Sequence, residues 1–306
     1  MQNYFRLEDV NQGTAKNNGS KYLSGYLCRF NMRITFRMFG AKDTDIEKLT
    51  NGVCVELIHM ENNKYNGENQ IIIKNYRLLN PDEVIGTGLI PESIFPAEEL
   101  KIRFNKIVGL LSNEYKNLVE QVKRKDFWEK FISIPAAKSM HHAYQRGLLE
   151  HSLNVADLTI KLSENLSVNK NVLIFSALFH DIGKTFEYNT NKTTNLFESV
   201  NSDGQLLHHI FMGAEKMGEI MRGRVSVEDQ QNIQHCFLSH HGKPEWGSAV
   251  VPKTIEAYML HTADKFDSDT NAMIKSFQES ENEFVYVRSL DRSMKNIPTG
   301  EEDVDN

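Results

Sequence analysis

Cysteine is scarce in this chain. Three cysteines in 306 residues, Cys28, Cys54 and Cys236, are odd in number and scattered, and none stands in a CxxC pair. That excludes a disulfide framework and a cysteine-type zinc site, and leads us to expect a reducing, cytoplasmic setting. Long apolar runs are missing too: nothing approaches the roughly 18 residues that a membrane span needs, so the expectation is a globular protein with no membrane partner. The first six residues, Met1-Gln2-Asn3-Tyr4-Phe5-Arg6, lack the basic-then-apolar pattern of a signal peptide. Positive charge is in deficit, with 35 Lys and Arg against 41 Asp and Glu for a formal charge of −6. This argues against a protein that coats nucleic acid, but not against an enzyme acting on it, because a divalent metal or a local cluster of basic residues can supply the field where it is needed. Part of the negative charge lies in residues 301–306, expected to be a solvated, disordered tail. There is no internal repeat and no low-complexity stretch.

The chain changes character along its length. Residues 22–30, 33–39, 52–59 and 70–79 are aromatic and β-branched runs broken by turn-like Asn, Gly and Asp clusters, with room for a short helix at 43–49. Four or five short strands in this span suggest a small barrel. The stretch 80–96 carries three of the seven prolines and reads as a linker. Beyond it the pattern is helical: Pro96 precedes an acidic first turn, and apolar stripes at helical spacing follow at 152–162, 172–179, 210–221 and 254–266. The expected fold class is multidomain α+β, a small N-terminal OB-fold-like β-barrel followed by an all-α helical bundle. The expected division is 1–85 for the barrel, 86–125 for the linker and a connecting helix, 126–285 for the helical domain and 286–306 for a C-terminal extension.

Imidazoles and carboxylates recur through the helical half: His151, the doublet His180-Asp181, His209, His240 and Asp264. Mixed imidazole and carboxylate is a ligand set for hard-to-borderline divalent metals, and such metals bind and polarise phosphate esters. Each residue also has a plainer reading. His180-Asp181 can be a helix C-terminus with a dipole-stabilised histidine closed by Gly183 in the left-handed conformation. Asp264, within Leu260-His261-Thr262-Ala263-Asp264-Lys265, can pair with an arginine or face solvent, although burying it unpaired would be unfavourable. Lys184 can be a solvated helix-end lysine. It is the company these residues keep that favours a metal site.

A histidine, a later His-Asp doublet and a final Asp on separate helices resemble the pattern of the HD-domain metal-dependent phosphohydrolases. More specifically, His141-His142-Ala143-Tyr144-Gln145-Arg146-Gly147-Leu148-Leu149-Glu150-His151 and Leu238-Ser239-His240-His241-Gly242-Lys243-Pro244-Glu245-Trp246-Gly247-Ser248 are similar to the signatures of YhaM-type 3′-to-5′ exoribonucleases. Those enzymes join an OB-fold to an HD domain. The resemblance is strong from about residue 141 to 277 and weak in the barrel. It implies one metal on His151, His180, Asp181 and Asp264, and a second on His209, His240 and a bridging Asp181. His208 stands where the family usually has glycine, which leaves the choice between His208 and His209 open, with register favouring His209. Asp181 and Lys184 are the implied catalytic pair, Lys184 contacting a phosphate oxygen. His142, Arg146 and His241 are candidate substrate contacts.

The implied chemistry is phosphodiester hydrolysis by a metal-activated hydroxide. Two ions are expected, Mn²⁺ first, with Fe²⁺, Co²⁺ or Mg²⁺ as alternatives. In the barrel, Tyr26, Phe30, Phe36 and Phe39 interleave with Arg29, Arg33, Arg37 and Lys42, as in folds that stack single-stranded bases on aromatics. Arg29, Phe30 and Tyr65 are the candidate strand contacts, although a small barrel must bury some of these aromatics in its own core. The expected partner is single-stranded RNA or DNA, and a homo-oligomer is compatible with the segment past the last ligand. Two other readings stay open: a phosphodiesterase or phosphatase on nucleotides, cyclic dinucleotides or other small phosphoesters, and a strand-binding protein with a vestigial HD site.

Overall fold

The computed structural model describes residues 3–297 except 16, 18, 30, 31, 85, 86, 139–141 and 193. Phe30, one of the expected strand contacts, and the acidic segment 301–306 lie outside the described residues.

Five strands form the N-terminal barrel: β1 (Tyr4–Thr14), β2 (Lys21–Arg29), β3 (Met32–Phe39), β4 (Cys54–Tyr65) and β5 (Glu68–Leu78), with α1 (Asp43–Lys48) between β3 and β4. The sheet closes in the order β1-β2-β3-β5-β4, all pairs antiparallel except β3 with β5. Each of the five strands is paired on both sides over part of its length, so none is a free edge strand. Inward positions bury Leu7, Leu23, Leu27, Phe36, Val55, Leu57 and Ile73 as a core of its own. The β4–β5 hairpin turns on Asn66-Gly67, both at positive φ (51° and 85°), as a two-residue turn matched to strand twist requires. Phe36, expected among the base-stacking aromatics, is a core residue instead. The first strand went unread because 4–14 is rich in polar residues, and only its pairing with both β2 and β4 makes it β.

The single turn α2 (Pro81–Val84) leads into α3 (Ala97–Gly109), α4 (Asn113–Lys123) and α5 (Trp128–Ser133). Then come α6 (Gly147–Leu162), α7 (Lys170–Phe179) and the short α8 (Lys184–Glu187). A hairpin of β6 (Tyr188–Thr190) and β7 (Phe197–Val200) precedes α9 (Ser202–Met221), α10 (Val227–Ser239) and α11 (Ile255–Gln278), and β8 (Phe284–Val287) with β9 (Arg292–Lys295) closes the described chain. Leu100, Phe104, Leu118 and Val122 of α3 and α4 share one buried core with Leu153, Phe175, Phe179, Met217 and Phe237. The stretch 86–125 is therefore more than a connection: it supplies two helices to the bundle. No helix among the described residues is long and apolar enough to cross a membrane.

The two parts meet at the β6–β7 hairpin. Thr194 Oγ1 donates to Gly52 O at 3.2 Å, Asn51 Nδ2 to Glu198 O at 3.4 Å, and Thr50 pairs with the Glu198 carboxylate. Arg6 Nε adds a bond to Leu89 O at 2.8 Å.

Candidate metal centre

Five helices deliver the expected ligands. His151 projects from α6 and Asp264 from α11, while His180 and His240 occupy equivalent places as the residues that cap α7 and α10. The last carbonyls of a helix have no intrahelical partner. His180 Nδ1 donates to Ala177 O at 2.9 Å and His240 Nδ1 to Phe237 O at 2.6 Å, so each imidazole satisfies one such carbonyl and turns its Nε2 toward the Asp181 carboxylate. His209 is presented differently. His208 before it has φ 65° and ψ 147°, which breaks α9 into two pieces and swings His209 inward. Its Nδ1 is held by Glu187 Oε2 at 2.9 Å. His151 Nδ1 is held by Asp267 Oδ2 at 2.7 Å. All four rings thus bond through Nδ1 and present Nε2, the arrangement by which proteins orient histidine ligands.

Asp181 sits at the centre. Its Oδ2 lies 3.6 Å from Nε2 of both His151 and His180, and its Oδ1 lies 3.4 Å from His209 Nε2 and 3.5 Å from His240 Nε2. Asp264 Oδ1 is 3.2 Å from His151 Nε2 and 3.9 Å from His180 Nε2. Lys184 Nζ closes on Asp181 Oδ2 at 2.5 Å. The two oxygens of Asp181 therefore face two ligand groups, His151 and His180 on one side, His209, His240 and His241 on the other.

Burial decides the charge states. Desolvation holds His180 near 4, against the pull of Asp181 and Asp264, and holds His209 well below the usual histidine range. The same desolvation acts on His151, but the adjacent Asp264 and Asp267 carboxylates outweigh it and push the ring up to about 10. Burial also works against an ionised Asp181, yet the Lys184 ammonium and the surrounding histidines hold the carboxyl well below its usual range.

The donor set fits a divalent cation. Asp181 Oδ1, His209 Nε2 and His240 Nε2 are buried and have no hydrogen-bond partner. Leaving three such atoms unsatisfied costs about 1–3 kcal/mol each. They are electron-pair donors pointing at one another, and separations of 3.4–3.5 Å suit neighbouring ligands on one ion. The floor they form opens into a cleft of about 460 Å³ that Lys184, His241, Trp246, Lys138 and Lys265 also line.

Other expected residues fall elsewhere. His209, not His208, points into the cluster; His208 is half-exposed at its rim. His142 is 1% exposed, with Nδ1 on the Tyr144 hydroxyl at 2.7 Å and Nε2 on Asp267 at 2.8 Å, so it braces the carboxylate behind His151 and is too enclosed to touch a strand. Arg146 pairs with Glu92 at 2.6 Å and is not among the cleft-lining residues. His241 does line the cleft. Gly183 has φ −60°, so it is no left-handed cap; a Cβ there would lie 1.9 Å from His209 O, and glycine is required for close approach of α8 to α9. In the barrel, Arg29 ends β2 half-buried, while Tyr65 is exposed with the Arg37 guanidinium 5.0 Å over its ring. Asp267 and Glu187, which orient His151 and His209, went unnoticed in the sequence. The only hint of Asp267 is its place one helical turn after Asp264.

A buried His/Asp cluster of this connectivity in a helical bundle, behind a closed five-stranded barrel, has the composition of a hydrolase centre that binds a divalent metal. Residues 148–269 match the family model described as HD domain, a span that holds all six expected ligands. The chain is 26% identical over 280 residues to the 3′-5′ exoribonuclease YhaM of Oceanobacillus iheyensis, covering 90% of this chain and 86% of that protein. It is 27% identical over 270 residues to the YhaM of Listeria welshimeri, covering 86% and 83%. The resemblance expected from the motifs is borne out. The TraI_2 helicase model also matches residues 91–186, but Gly183-Lys184-Thr185 there lacks the first glycine of a phosphate-binding loop, having Leu178 at that position. A looser likeness, TM-score 0.28 at 22% identity, links 42% of the chain to 67% of the HD domain of the L. monocytogenes phosphodiesterase PgpH.

Proposed function

We propose that this chain is a metal-dependent 3′-to-5′ exonuclease that hydrolyses single-stranded RNA. The observation that carries it is the convergence of three unpartnered ligand atoms, Asp181 Oδ1, His209 Nε2 and His240 Nε2, at the floor of an open cleft. The relatives named exoribonucleases, similar over most of their length, support the RNA substrate and the polarity. Two ions are proposed, Mn²⁺ first, one on His151, His180, Asp181 and Asp264 and the other on Asp181, His209 and His240. When bound, such cations supply Lewis-acid charge to the phosphate and acidify water at neutral pH.

The chain's own residues do the rest. Asp181 offers one oxygen to each ligand group, and Lys184 keeps it ionised. One of the three N–H donors of Lys184 is engaged with Asp181, and its place in the cleft lets another bond a phosphate oxygen. The apolar core behind His151 and His180 keeps water to the cleft side. On the barrel, the Arg37 guanidinium lies 5.4 Å from the Tyr22 ring and 5.0 Å from that of Tyr65, an aromatic and cationic ladder suited to a single strand.

The test is incubation of the protein with 5′-labelled single-stranded RNA and Mn²⁺, beside Asp181→Ala and chelator controls. A ladder shortening from the 3′ end, absent in both controls, is the expected result. An intact oligomer alongside hydrolysis of a small chromogenic diester would overturn the exonuclease reading in favour of a small-ester hydrolase. The same assay with single-stranded DNA decides sugar preference.

A further inference from the structure

One wall of the cleft carries a tryptophan that metal chemistry does not require. Trp246 stands on a 3-10 turn (Pro244–Trp246) and is 46% exposed, although it lines the same cleft as Asp181, His209 and Asp264. Its placement is built. Gly242 (φ 83°) and Gly247 (φ 92°) flank the turn in the left-handed region, and a Cβ on Gly242 would lie 2.2 Å from the His261 ring. Trp246 N donates to Lys243 O at 3.0 Å, and Ser248 N to the same oxygen at 3.1 Å. His241 Nδ1 donates to Trp246 O at 2.8 Å, tying the turn to the residue next to His240. His261, whose ring is 6.1 Å from that of Trp246 and inclined by 32°, is itself pinned by Nδ1 to His240 O at 2.7 Å. Two ammonium groups lie over the indole, Lys243 Nζ at 4.7 Å and Lys265 Nζ at 5.0 Å from its centroid, and Lys265 also pairs with Asp269 Oδ2 at 2.7 Å.

A rigidly held, solvent-open indole flanked by two cations, in one cleft with a phosphate-directed metal centre, has the composition of a nucleotide subsite: a flat π surface for a base and ammonium groups for phosphate oxygens. We propose that Trp246 stacks the base of the 3′-terminal nucleotide as the two lysine side chains swing off the ring, Lys243 and the N–H donors of Lys265 not engaged with Asp269 taking phosphate oxygens beside it. This rests on the exonuclease reading and names the residues that read the strand end. Stacking uses the π face and not the hydrogen-bonding edge, so the subsite accepts all four bases and discriminates against a terminal residue without an aromatic ring.

The experiment compares two RNA oligomers identical but for the 3′ residue, uridine or 5,6-dihydrouridine, which keeps the hydrogen-bonding edge and loses aromaticity. Removal of that residue is timed with wild type, Trp246→Ala and Trp246→Phe. Wild type is expected to remove uridine roughly ten times faster under subsaturating conditions. Trp246→Ala should treat the two ends alike, at the wild-type rate for dihydrouridine, and Trp246→Phe should retain most of the preference. A second reading needs no turnover: with chelator present, the uridine oligomer should quench tryptophan fluorescence in wild type and not in Trp246→Phe, where Trp128 remains. An equal rise in unfolding temperature with Mn²⁺ in all three proteins verifies that each is folded. Full discrimination by Trp246→Ala, or none by wild type while it still shortens RNA, overturns the subsite alone. Failure of wild type to shorten either oligomer with any divalent ion overturns the exonuclease reading and the subsite with it.

Discussion

His151 carries a linked proton. Burial disfavours charge on it, but the Asp264 and Asp267 carboxylates raise its pKa to about 10, so at pH 7 the metal-free ring is protonated. A metal taking Nε2 must displace that proton. Titration calorimetry with Mn²⁺ in two buffers of different ionisation enthalpy should show about one proton released per His151-containing site, and affinity should rise with pH from 7 toward 10. Asp267 is the residue that aims this ring, at 2.7 Å, while also holding Asn154 Nδ2 at 3.0 Å. Asp267→Asn should lower metal affinity about 10- to 100-fold, read as the Mn²⁺ concentration that gives half-maximal activity. His208 is strained, since φ 65° with ψ 147° is a region where glycine alone is comfortable. His208→Gly should stabilise the protein by about 1–3 kcal/mol, measured by thermal unfolding at fixed metal.

Among the elements, the ends of α7 and α10 repeat one device. Each helix stops at a histidine whose Nδ1 satisfies a terminal carbonyl, which leaves the other nitrogen facing Asp181. The doublet's position was legible because it directly follows the largely apolar stripe 172–179, where two polar, ligand-type residues stand out. The contact between α8 and α9 was not legible. Gly183 looked like an ordinary helix stop, and only the neighbouring helix reveals that its missing side chain lets the His209 carbonyl approach. Gly183→Ala forces that carbonyl away, and with it His209. Overpacking of this kind costs about 1–3 kcal/mol, so the unfolding temperature should fall and hydrolysis should fall further than stability alone accounts for.

For the whole molecule, the buried centre joins elements from α6 to α11, and its unpartnered atoms lead us to expect that a bound metal stabilises the bundle. A ligand at a hundred times its Kd adds about 2.7 kcal/mol, so Mn²⁺ should raise the unfolding temperature of the helical domain by about 5–10 °C and a chelator should reverse it. Gly52 and Thr50 of the barrel meet Thr194 and Glu198 of the β6–β7 hairpin, which begins immediately after α8. The barrel thus docks on the hairpin that follows Asp181 and Lys184 directly in the chain.

By itself the sequence determined the order of a β-rich part before a helical one, the helical stripes and the types of ligand available. Alternation and 3.6-residue periodicity are local, and imidazole and carboxylate are named by their letters. The tertiary structure decided which of two adjacent histidines turns inward, because that depends on a backbone kink at His208. It decided that Asp181 serves both ligand groups and that Phe36 is core while Trp246 faces the cleft. It also decided that His142 stands behind the site rather than at its surface. Each of these is a matter of what lies across the fold from a residue, a pairing over 20 to more than 120 positions that no local pattern encodes.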